Sequence, residues 1–75
     1  MVPYRDWDRD SGVEAYEVGK AHIDVQFRGG AVYRYTSTSV GAAKLDRMVD
    51  LARAGEGLNA FINTFVRRSY SERLK

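Results

Sequence analysis

The sequence has no cysteine, a single histidine and a single proline, and no long apolar run anywhere in its 75 residues. Without Cys there is no disulfide framework, no thiolate nucleophile and no Cys-based zinc site, and one His excludes a His-rich metal centre. A cysteine-free chain fits a reducing, cytoplasmic compartment. No apolar stretch approaches the roughly 20 residues that cross a bilayer. The opening residues, Met1 to Asp8, lack the positive and apolar regions of a secretion signal, so neither export by that route nor membrane embedding is expected. At this length about 60% of the unfolded chain's surface can be buried, enough for one core and too little for a deep cleft between two domains. Function is therefore expected at the surface, with no cofactor.

What is present is charge with a direction. The net charge is only +2, but residues 1 to 27 hold three basic groups against six acidic ones, a balance of −3, and the remainder holds nine against four, a balance of +5. An anionic partner would be drawn to the C-terminal half and repelled by the N-terminal one.

Residues 1 to 12 mix charge with Pro3, Tyr4 and Trp7 and show neither a period of two nor a helical one. They read as a flexible or loosely docked arm, Trp7 folding back to shield its ring, ahead of a single domain over 13 to 75. From Val13 the chain turns β-branched and aromatic, punctuated by Gly19-Lys20 and Gly29-Gly30 as hairpin turns. Between them, Ala21-His22-Ile23-Asp24-Val25-Gln26-Phe27 alternates strictly, with Ala21, Ile23, Val25 and Phe27 on one face of a strand. Its neighbours, about 13 to 18 and 31 to 36, complete an antiparallel meander. The hydroxyls of Thr36 to Ser39 suit a helix N-cap, and Leu45, Met48, Val49 and Ala52 follow at helical spacing before Gly55 and Gly57. A second helix opens at Leu58, with Leu58, Phe61, Ile62, Phe65 and Val66 forming one broad apolar stripe that should pack on the sheet. The expected fold is α+β, a three-stranded antiparallel meander covered on one face by two C-terminal helices, in the order β-β-β-α-α.

Two groups of residues are candidates for binding. Tyr33 and Tyr35 lie two apart on the third strand, and their face depends on the turn before them. A two-residue Gly29-Gly30 turn, the favoured solution, puts both on the polar face with His22, Asp24 and Gln26; a three-residue turn reverses this. Exposed, they would form a platform for stacking bases; buried, they would be ordinary sheet packing. Beyond the last helix, Arg67, Arg68 and Arg73 crowd the chain's end, and Asn59, Asn63 and Arg67 form a polar row at helical spacing. The helix dipole alone accounts for Arg67 and Arg68; phosphate contact is the sharper reading. His22, Asp24 and Glu17 can be drawn as a metal site or a general-base pair, but no nucleophile and no pocket accompany them, and a solvated polar face explains them. No catalytic residue and no metal ligand are assigned, and enzymatic activity is not expected.

The run Ile23-x-Val25-x-Phe27, a Gly-containing turn, Val32-Tyr33-Arg34-Tyr35, a helix and then Gly55-x-x-Leu58-Asn59-x-x-Ile62 resembles the KTSC domain family over roughly residues 13 to 73. Such domains occur at the C-terminus of some lysyl-tRNA synthetases and as short bacterial proteins. The resemblance marks Tyr33 and Tyr35 as the signature tyrosines, Asn59 as the family's Asn at the start of the last helix and Ile62 as its buried aliphatic partner. Three departures stand out: Thr36 to Gly41 lacks the family's Val-Pro entry, Asn63 stands where a basic residue is common, and Tyr70 with Arg73 arrives about a turn late. By context the resemblance implies RNA as the partner, with Tyr33, Tyr35, Arg67, Arg68 and Arg73 as the contacting residues. The alternative is a protein-interaction module that docks through a sheet edge or the arm.

Overall fold

Strand β3 (His22–Phe27) realises the alternation described above and forms the centre of the molecule in the computed structural model, which describes residues 1 to 7 and 12 to 75. Residues 8 to 11, part of the expected arm, lie outside the described residues. Ile23 and Val25 are fully buried on the helix side. Antiparallel partners flank β3: β2 (Val13–Gly19) on one side and β4 (Val32–Thr36) on the other. The meander is therefore present, but among the described residues the sheet has five strands rather than three, in the order β1-β2-β3-β4-β5. Val2–Pro3 forms β1 against Tyr16 and Ala15, and Glu72–Arg73 forms β5 against Arg34 and Tyr33. Two-residue strands are too short to display a period, so neither was visible in the hydrophobic pattern.

Tyr4 follows β1 into the core. Its backbone N–H donates to Glu14 O at 3.0 Å, and its hydroxyl accepts from the backbone N–H of Leu58 at 3.2 Å. The backbone N–H of Trp7 donates to Gly55 O at 2.8 Å, although the indole itself stays 63% exposed. The start of the chain is thus stitched to both layers of the domain.

The second hairpin corrects the expected face of the tyrosines. Phe27 N–H donates to Ala31 O at 2.8 Å and Gly30 N–H to Phe27 O at 3.0 Å, so Arg28, Gly29 and Gly30 form a three-residue loop. Both glycines adopt positive φ, near 96° and 98°. The register that follows sets Val25 opposite Tyr33, Asp24 opposite Arg34 and Ile23 opposite Tyr35. Both tyrosines consequently share the apolar face, and Tyr35 is only 2% exposed. Two long-range terms favour this solution: a large aromatic surface is buried, and Arg34 meets the buried Asp24 across the opposite face through two hydrogen bonds of 2.7 and 3.0 Å. That hydrogen-bonded carboxylate also raises the Arg34 pKa above its ordinary value.

Among the described residues three helices, rather than two, cover the apolar face. The expected first helix is split at Gly41, whose φ of 90° interrupts it. The short α1 (Ser37–Val40) is capped by Thr36, whose hydroxyl accepts from Ser39 N–H while Ser39 Oγ accepts from Thr36 N–H. Helix α2 (Ala42–Ala54) buries Leu45, Met48 and Ala52 and ends at Gly55 in the left-handed conformation.

Helix α3 (Leu58–Phe61) runs directly into a π-helical turn over Ile62–Val66. The turn changes which residues face inward. At about 100° per residue, an unbroken α-helix would place Phe65 about 20° from Leu58 and Val66 about 80° away. The wider π turn advances by smaller steps, bringing Val66 back in line with Leu58 and Ile62 and turning Phe65 outward. Leu58, Ile62 and Val66 are buried, whereas Phe65 is 57% exposed, so the expected five-residue stripe is corrected at that position.

Candidate functional site

The same π turn and the C-terminal strand build a concavity on the helix-covered side of β4. Its volume is about 210 Å³, and it is lined by Phe27, Tyr33, Tyr35, Ile62, Asn63, Arg67 and Tyr70. Tyr33 sits at the hub of the rings, with its centroid 5.8 Å from that of Phe27, edge to face, and 4.6 Å from that of Tyr70. Tyr35 packs edge to face on Tyr70 at 6.5 Å and closes the floor. Offset and edge-to-face spacings of this kind are the favourable ones for aromatic pairs.

Tyr70 reaches this position because the segment after it anneals to β4. Ser71 N–H donates to Arg34 O at 2.7 Å, and Leu74 N–H donates to Val32 O at 2.7 Å. The same pairing sets Arg73 opposite Tyr33, with the guanidinium carbon 5.6 Å from the ring centroid, a cation–π contact.

Of the residues singled out from the sequence, Tyr33, Tyr35 and Arg67 converge on this one pocket, and Arg73 stacks on Tyr33. Arg68 is exposed and does not line the pocket. The tyrosines form its wall and floor instead of an open stacking platform. Asn63, one member of the polar row read from the sequence, proves to be a lining residue, as does Tyr70, for which only the family comparison gave a signal. Among the described residues neither the Asn63 nor the Arg67 side chain has a hydrogen bond or ion pair, so both polar groups are available to a ligand. No lining residue among the described residues is acidic.

The opposite face of the sheet has the reverse polarity. Registers place Glu17, Asp24, Arg34 and Glu72 in one row across four strands, with Arg34 ion-paired to Asp24 and, at 3.8 Å, to Glu72. His22 Nε2 lies 3.8 Å from Asp24 at the end of β3. A second hollow, of about 460 Å³, opens between this hairpin end and α2, lined by His22, Asp46, Asp50 and Arg53 among others. Among the described residues no group of three or more His, Cys, Asp or Glu is arranged to hold a metal ion. No helix among them is long and apolar enough to cross a membrane.

Burial, with Tyr33 and Tyr70 close by, pushes the Tyr35 phenol up to about 12 from the usual 10.0. The neutral form is the one the fold favours, so this contribution to stability is fully present below the unfolded pKa and is lost as pH rises through the folded one. Alkaline titration of tyrosinate absorbance should show a late phase near pH 12, absent in Tyr35→Phe, with stability falling progressively between pH 10 and 12. Ionisation of all five tyrosines in a single step near pH 10 would contradict the burial of Tyr35.

Comparison with protein-family models, with curated proteins and with solved structures finds no match to this chain. The functional reading rests on the geometry of the pocket.

Proposed function

We propose that the protein is a small, non-enzymatic, KTSC-like binding module whose ligand is single-stranded RNA, held by the aromatic pocket and its arginine rim. One observation carries the reading: Tyr33, Tyr35, Tyr70 and Phe27 line the same hollow as the unpaired guanidinium of Arg67, with Arg73 beside it. Rings that accept a base next to cations that accept a phosphate are what single-strand recognition requires. The acidic row on the far face supports it, because an RNA strand would be steered to the pocket side alone. The Tyr33-x-Tyr35 pair on β4, followed by helices with Asn59 at the start of the last, supports the family assignment.

The reading is tested by titrating mixed-sequence RNA at several salt concentrations. With two phosphate contacts, from Arg67 and Arg73, at about −0.7 in log–log slope each, affinity should fall about sevenfold for a fourfold rise in salt. Arg67→Gln with Arg73→Gln should flatten the slope by about 1.4. Tyr70→Ala should weaken binding at every salt concentration and leave the slope nearly unchanged. Absence of binding at high micromolar protein and low salt would remove RNA as the ligand. The protein-interaction reading would then stand, with the exposed Phe65, paired to Phe61 at 5.0 Å, as its anchor.

A further inference from the structure

We infer that the pocket takes one unstacked purine of the bound strand, with the Asn63 amide hydrogen-bonding its edge and Arg67 meeting the adjoining phosphate; this rests on the RNA reading above. At about 210 Å³ the hollow is smaller than the sites of about 300–1,000 Å³ that hold drug-sized ligands, so it has room for a single base and not for two. Its walls are rings, which match a flat π system and give a purine more stacking area than a pyrimidine.

The base edge meets Asn63, the only uncharged polar side chain among the described lining residues apart from the phenols. An amide presents an acceptor and a donor side by side, and it has no other hydrogen bond among the described residues. Adenine carries its N6 donor between two acceptors, N1 and N7, so either edge satisfies the amide. Guanine presents two acceptors, O6 and N7, on its Hoogsteen edge, but its Watson–Crick edge sets the O6 acceptor beside the N1–H donor, so it too satisfies the amide. The pyrimidines can satisfy an amide only through their Watson–Crick edge, and they fill less of the ring-lined space. Arg67 lies one turn further on at the rim, exposed and unpaired, the position of a phosphate ligand rather than of a base reader.

The test uses the whole chain and a fluorescently labelled oligouridylate carrying a single A, G or C at its centre, with the all-U strand as reference, at one low salt concentration. A central A or G should tighten binding at least about fivefold over C and U, through the larger stacking area of a purine. Asn63→Ala should weaken the A and G strands alike while keeping the purine preference, and Arg67→Gln should weaken all four strands alike. Both side chains are exposed, so each variant should melt with the wild type. A preference for C or U, no preference, or wild-type affinity for the purine strands in Asn63→Ala would overturn the inference and leave RNA binding standing. If none of the four strands binds, the RNA reading itself fails and the inference falls with it.

Discussion

Tyr4→Ala should lower stability by about 3–5 kcal/mol, a loss comparable with the whole stability of a chain this short at about 0.05–0.15 kcal/mol per residue. The side chain is buried and its hydroxyl accepts the Leu58 N–H, so the substitution opens a cavity and strands a helix-terminal donor at once. Tyr4→Phe separates the two effects. It keeps the ring and should cost only about 1–3 kcal/mol, the penalty for leaving one buried N–H unpaired. Urea denaturation reads both variants. A Tyr4→Ala protein with the wild-type midpoint would mean that the first residues do not dock, and the five-stranded sheet would lose its first strand.

The second large effect tests the phase of the last helix. Leu58→Ala should cost about 2–5 kcal/mol, because its side chain is completely buried and the neighbours can only partly collapse into the space. Phe65→Ala, seven residues on, should cost less than about 1 kcal/mol despite removing a larger side chain, since the π turn leaves that ring in water with only Phe61 beside it. An uninterrupted α-helix reverses part of this contrast, giving Phe65→Ala the penalty of a core truncation. Thermal melts of the two proteins therefore decide between the geometries.

These cases show why some of the fold was legible in the amino-acid order and some was not. The central strand could be read directly, because alternation is a local signal and Ile23 and Val25 are buried on one face of β3, although Ala21 falls outside the strand, exposed in the turn with φ 61°. The capping hydroxyls of Thr36 and Ser39 and the stop at Gly55 were equally local. The side chosen by Tyr33 and Tyr35 was not. Two glycines allow a loop of two residues or of three, and the choice is made by contacts distant in sequence, including Asp24 with Arg34 and Tyr35 with the ring of Tyr70. The π turn escaped for a different reason: a 3.6-residue template fits Leu58 to Val66 well, and no residue type marks where a turn widens.

For the candidate site the pattern is similar. The polar row through Asn63 and Arg67 was visible as spacing, and both line the pocket. Tyr70 enters it only because residues after it zip onto β4, a pairing of two-residue length. Arg68 shares the charge of its neighbours but not their direction, which composition cannot convey.

The widened turn also has a consequence for how this stretch can drift over evolutionary time. Arg67 stands nine positions after Leu58, which in a regular α-helix is half a revolution away from the buried side, at about 180°. The slack taken up between Ile62 and Val66 swings it back toward the hollow shared with Asn63, while keeping Val66 in the core. Thr64 and Phe65, exposed on the outside of the turn, are free to vary in identity. Their number is not. Gain or loss of one residue there shifts the core partner and the pocket cation together, so the segment is constrained in length where it is permissive in composition.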